Sequence, residues 1–319
     1  GCRASNYIAM LRKALKELGM EQIPVISVNL AGLEPNPGLK ITPAMLFKAI
    51  QSVILGDLLM RVLYATRPYE KKKGAANSLA SYWTQCIIAE MPHLSIRQYR
   101  KFIREIVADF DRLPITNETK PKVGVVGEIL VKYHPNANND IVNIIEAEGG
   151  EAVVLDLIDF FLCDFQSKHF NYNYLAGTKK DVLLGKLWIS LIEWLRKPAR
   201  VALEKSNRFH QPLHIKEIAQ KAEKFISLGN QYGEGWLLTG EMVELIDSGV
   251  PNIVCLQPFA CLPNHVIGKG VIGPLRRYNP LANIAAIDYD PGASYVNQLN
   301  RIKLMMAVAK KNHSRSLQC

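Results

Sequence analysis

The chain holds no Cys-x-x-Cys pair, no GxxxxGK[ST] phosphate loop, no HExxH motif and no zinc-finger spacing. P-loop nucleotide hydrolysis and zincin chemistry therefore have no local sequence basis, and nothing resembles a Ser–His–Asp arrangement. No window approaches about 18 uninterrupted apolar residues, so no membrane span is expected. The run from Val182 to Leu195 is broken by Lys186 and Glu193 and reads as a buried helix. Cysteine is sparse. Cys2, Cys86, Cys163, Cys255, Cys261 and Cys319 are too spread over 319 residues to form a disulfide framework. No secretory signal is evident, and a cytoplasmic setting is expected. The opening "GCRASNY" lacks an initiating methionine, as a piece of a longer polypeptide would.

The composition is that of a folded protein, with 48% hydrophobic and 21% charged residues. The length suggests two domains. A formal charge of +10 raises the question of nucleic acid. The basic residues are scattered, however. "YEKKKG" (69–74) and "GPLRRYN" (273–279) are short clusters, no basic stripe with interleaved aromatics occurs, and a solvated face is the simpler reading.

Ile8, Leu11, Leu15 and Leu18 recur at helical spacing, with Gly19 as a stop. "IPVISVNL" (23–30) reads as a strand, and residues 43–65, 74–91 and 95–112 as three helices, with Pro43 and Ser95 at plausible starts. Residues 1–113 thus read as a partial α/β plus helical domain and "PITNETKP" (114–121) as a linker. From 122 the chain alternates. Strands at 122–129, 152–158, 251–257 and 283–288 are separated by helices, with a helical insertion over about 159–230. That rhythm predicts an α/β fold whose second domain, 122–319, is a Rossmann- or flavodoxin-like parallel sheet.

In such a sheet, ligands gather at the carboxyl ends of the strands. Those ends carry Glu128, then Asp156 and Asp159, then "CLQPFACLPNH", then "DYDPGAS". Cys261 falls in the third rim loop close to a predicted helix start, where backbone N–H groups favour thiolate over thiol. Cys2 repeats the pattern at the first helix. A lone cysteine is more commonly packing than ligand, and both readings stand. Two thiols also do not complete an iron–sulfur cluster, which usually takes four. His265, four residues after Cys261, is a candidate base beside its commoner role as a capping or surface residue. The "GEGWLLTGE" stretch (233–241) is a helix entry that could hold an anion or simply mark a helix boundary.

Four segments, "GCRASNYI", "KVGVVGEILVKYHPNANNDIVNIIEAEGGEAV", "QPFACLPNHVIGKG" and "AIDYDPGASYVNQLNRIKLM", resemble the carboxyl-terminal region of the acyl-CoA dehydratase activase (2-hydroxyglutaryl-CoA dehydratase activator) family. That region is itself similar to 2-hydroxyacyl-CoA dehydratase subunits and double-cubane cluster proteins. The resemblance implies Rossmann-like subdomains around a cysteine-held iron–sulfur cluster, of 4Fe-4S or double-cubane type. It makes Cys2 and Cys261 the metal ligands. It places Glu128, Asn138 and Asn139 on the same cleft, with Glu128 and His265 as candidate catalytic groups. It implies an ATP-dependent activase domain or subunit as partner, possible homo-oligomers, and an acyl-CoA or other small substrate. The ATPase part is absent and the ligand set is incomplete. The expected function is thus an iron–sulfur electron-transfer component. The alternatives are a clusterless assembly or small-ligand-binding module, and a thiol hydrolase or transferase using Cys261 with His265.

Overall fold

A computed structural model describes residues 6–26, 40–258, 261–290 and 292–317. The chain divides into two compact units, Gly1–Phe47 and Lys48–Cys319. In the first, α1 (Tyr7–Glu17) ends as its sequence requires. Gly19 turns left-handed at φ 67°, and the N–H groups of Gly19 and Met20 close back on the carbonyls of Lys16 and Leu15. The strand expected at 23–30 is not found in its described part, since Ile23–Ile26 is irregular, and residues 27–30 lie outside the described residues.

Helix α2 (Pro43–Thr66) runs into the second unit, followed by α3 (Ala75–Glu90) and α4 (Ile96–Arg112). The Ser95 start is confirmed by a reciprocal cap. Ser95 Oγ accepts the Gln98 N–H, and Gln98 Oε1 accepts the Ser95 N–H. The segment 114–121 is tied at both ends. Thr116 N–H donates to the Tyr69 carbonyl, and Glu151 N–H donates to the Pro121 carbonyl.

The α/β rhythm follows. Strand β1 (Lys122–Gly127) leads through α5 (Ile129–Tyr133) and α6 (Ile141–Ala147) to β2 (Glu151–Val154). The insertion is helical as expected: α7 (Ile158–Tyr174), α8 (Lys179–Glu204) and α9 (Ile215–Glu223). Then come α10 (Trp236–Asp247), β3 (Asn252–Gln257), a π-helical turn (Asn264–Lys269), α11 (Ile272–Tyr278), β4 (Asn283–Asp288) and α12 (Tyr295–Ser316). The four strands form one all-parallel sheet in the order β2-β1-β3-β4, with Val125 in register with both Val154 and Val254.

Both sheet faces are covered, which explains why the strands read as unbroken apolar runs. Val125, Val254 and Ile287 pack with Ile141 and Ile145 of α6 and Met306 of α12. Val126, Cys255 and Ala286 face the other way, onto Leu238 and Met242 of α10 and Leu275 of α11. Among the described residues no helix is long and apolar enough to cross a membrane.

The helical insertion is fastened to the sheet by buried charge. Arg196 of α8, 1% exposed, donates to Asp159 at 2.6 and 3.0 Å and to Asp156 at 2.6 Å, just beyond the carboxyl end of β2. Arg61 of α2 donates to the same Asp156 through Nε at 3.0 Å. Asp57, one helical turn earlier, accepts the N–H groups of Leu157 and Ile158 at 2.9 and 3.0 Å. Burial works to raise the Asp156 acid, but Arg61 and Arg196 outweigh it and bring it down to about 2. Burial and the neighbouring Asp156 push Asp57 up to about 8. Removing Arg196 would strand Asp159 in the interior and leave Asp156 to Arg61 alone. Arg196→Met is expected to cost roughly 3–5 kcal/mol of stability, read by urea denaturation; a loss below about 1 kcal/mol would show the pairing to be dispensable.

Candidate functional site at the sheet rim

The site begins where β1 stops. Gly127 adopts φ 142°, and a Cβ there would lie 1.9 Å from the Leu256 carbonyl oxygen of β3. Only glycine fits this approach. The chain then carries Glu128 over the rim, its N–H donating to the same Leu256 oxygen at 2.9 Å. β1 and β3 are the two strands from which crossovers diverge, the topological switch point of an open parallel sheet.

Four side chains meet there. Glu128, 2% exposed, caps α5 by accepting the Val131 N–H at 2.9 Å. Glu234 arrives from the turn before α10, where Gly233 and Gly235 take φ of 63° and 48°. A Cβ on Gly235 would stand 2.3 Å from the Asn230 carbonyl, so the Gly-Glu-Gly run is a steric requirement. Glu234 accepts the Ile129 N–H at 2.8 Å. Asn264, fully buried, donates to Glu234 Oε2 at 3.4 Å and to Cys261 Sγ at 3.2 Å. Burial raises the acids of both Glu128 and Glu234, and the Glu128 charge adds to the rise at Glu234. The rim therefore holds two carboxyl groups biased toward the protonated form beside an amide-bonded sulfur.

Cys261 lies where the sequence placed it. Its carbonyl accepts the His265 N–H at 2.9 Å, the first bond of the helical run that becomes the π-helical turn. Its side chain is 2% exposed. π-Helical turns are rare and concentrate at functional sites. Three buried polar atoms around this rim find no hydrogen-bond partner among the described residues: Asn264 Oδ1, Gln257 Oε1 at the end of β3, and the Tyr289 hydroxyl just past β4.

The other expected residues divide. Glu128 joins Cys261 in the cluster. Asn138 spends its amide on the backbone, donating to the Val131 carbonyl at 2.7 Å and accepting the Ile141 N–H at 3.2 Å. Asn139, left-handed at φ 53°, donates to Gln298 at 2.9 Å, and Gln298 donates to the Asp288 carbonyl at 2.8 Å. His265 directs Nδ1 to the Cys261 carbonyl oxygen at 3.0 Å and Nε2 toward Asp288 at 3.7 Å, so its ring bridges the third and fourth rim loops. Cys2 and Cys319 lie outside the described residues. Cys255 is buried in β3 with its thiol pushed up to about 12 by burial, and Cys163 in α7 is raised by the same cause. Among the described residues no three His, Cys, Asp or Glu side chains are placed to hold a metal ion.

Glu234 and Asn264 were not singled out from sequence. The paired glycines around Glu234 are the available signal, with an anion-binding helix entry and a plain helix boundary both open; in the structure they mark the helix boundary, and the Glu234 carboxylate between them reaches the head of α5. The run "GKGVIG" (268–273) has dinucleotide-fingerprint spacing, yet it lies within the π-helical turn and the start of α11, away from a strand–helix junction. There its glycines serve packing: a Cβ on Gly268 would press on Cys255 Sγ at 3.2 Å.

Gly127→Ala is expected to destabilise the chain by roughly 2–3 kcal/mol in urea titration, because the strained φ and the backbone clash act together; unchanged stability would show that β1 and β3 need not approach so closely. No protein-family model, curated protein or solved structure matches the chain.

Proposed function

We propose that the rim around Cys261 is the protein half of an iron–sulfur site, in a flavodoxin-like doubly wound domain that serves as a low-potential electron-transfer component. The observation carrying this reading is the Asn264 amide donating to a buried Cys261 sulfur at the sheet's switch point. A single thiolate fits one corner of a cluster, and the N–H···S bond is of the kind that tunes cluster potential. The orphan polar atoms of Asn264, Gln257 and Tyr289 suit a site completed by further groups. Cys2 of this chain together with cysteines of a partner would supply the remaining ligands. When bound, such a centre supplies one-electron transfer at low potential.

The chain's own residues would then have simple duties. Cys261 binds, Asn264 orients the sulfur, and the second covered face of the sheet keeps water from β3. Glu128 and Glu234, their acids raised by burial, would line the rim beside the sulfur. An ATP-driven partner would deliver the electron, and an acyl-CoA or other small substrate, or a further cluster, would receive it. In this reading the resemblance of the four sequence segments supplies the family of chemistry, and the rim supplies the place.

Anaerobically purified protein should be brown, with absorption near ~400 nm and matching iron and sulfide. Cys261→Ala is expected to lose most of that iron and absorption, and Cys255→Ala to keep both. Iron content equal to wild type in Cys261→Ala, or a colourless iron-free wild type, would overturn the assignment and favour the small-ligand-binding alternative.

A further inference from the structure

β2 is one of the two edge strands of the described sheet, and a cavity of about 310 Å³ lies along it. That is at the lower end of small-molecule sites. Its walls are largely apolar: Val153 of β2 and Leu155 just after it, Phe209 and Leu213 of the segment after α8, and Leu245 of α10. Two groups of opposite character break this lining. Arg61 presents its guanidinium, already shared with Asp156. Glu244 of α10 also lines the cavity and is 8% exposed; its backbone carbonyl accepts the Ser248 N–H at 2.9 Å, but its carboxyl group has no hydrogen-bond partner among the described residues. An unbonded buried carboxyl group on a cavity wall is costly unless something completes it.

The remaining charges lining the cavity are largely spoken for. Lys122 pairs with Glu151 at 3.7 Å, Lys221 pairs with Asp247, and Arg208 donates to the carbonyls of Phe110 and Asp111 at 2.8 and 3.1 Å. With these pairs cancelled, Arg208 leaves the lining mildly positive. His210 is held toward its neutral form by burial, with Lys122 and Arg61 adding to the effect.

We propose that this cavity binds a small, mainly apolar carboxylic acid, whose body lies on Val153 and Phe209 and whose carboxyl group hydrogen-bonds to that of Glu244 within reach of Arg61. The site is separate from the rim around Cys261 and does not depend on a cluster there. Burial, the first cause, pushes Glu244 up to about 8, with Asp159 adding, Arg61 opposing, and Glu241 and Asp156 adding again. At neutral pH the group is therefore a donor. As pH rises through about 8 it ionises, and two carboxylates then face each other. Binding favours the protonated state, so affinity falls as pH rises.

Benzoate is the probe, titrated calorimetrically into the full chain. Saturable binding is expected at pH 7 with a Kd of about 1 mM or tighter. It should weaken about tenfold by pH 9, following the fraction of protonated Glu244. Benzamide, whose N–H can donate to the ionised group, should bind with little pH dependence. Glu244→Gln should still bind benzoate at pH 7 and lose the pH dependence. Val153→Phe should abolish binding with unchanged circular dichroism, and Cys261→Ala should leave binding intact. No saturable benzoate binding at pH 7, or wild-type pH dependence persisting in Glu244→Gln, would overturn the proposal.

Discussion

A guanidinium with 1% exposure and two aspartates on it is the constraint around which this molecule is arranged. Arg196 cannot be desolvated alone, and neither can Asp156 and Asp159; each is tolerable only in the company of the others. Meeting that condition forces α8 against the carboxyl end of β2. It also brings in α2, because Arg61 takes the remaining face of Asp156 and Asp57 caps the first turn of α7. Two helices from distant parts of the chain, α2 and α8, are thereby held against one strand end beside α7, which follows directly from it.

Concentrating charge at one end of the sheet has an electrostatic consequence. Where arginines are supplied, as at Asp156, the carboxylate stays ionised. Where no arginine bonds the carboxyl group, burial prevails and it moves toward the acid form, as at Glu128, Glu234 and, against an opposing Arg61, Glu244. Lys132 and Glu241 show the intermediate solution, a buried pair at 2.7 Å that satisfies both members. The fold thus brings together fixed anions, acids shifted upward by burial and a sulfur that come from distant parts of the chain.

Much of the secondary structure was legible beforehand because its causes are local. Apolar runs bounded by glycine and proline marked all four strands of the sheet, and Ser95 and Pro43 marked helix starts that the structure keeps. The strand expected over 23–30 fails in its described part, since β-branched residues alone do not supply a pairing partner. At the rim, Cys261 and Glu128 could be named because strand ends and helix starts are local features. Asn138 and Asn139 read as cleft residues, yet their amides serve a backbone cap and a link to Gln298.

By itself the sequence determined that the chain folds as α/β, that its strands are buried on both faces, and that a thiol precedes a helix after the third strand. Those follow from periodicity and capping within a few residues. Only the tertiary structure decided that the strands stand in the order 2-1-3-4, that Glu234 comes back across 105 residues to the head of α5, and that Arg196 finds Asp156 and Asp159. The physical reason is range. Coulomb and desolvation terms depend on distances and burial created by packing, and no local pattern in a chain records them.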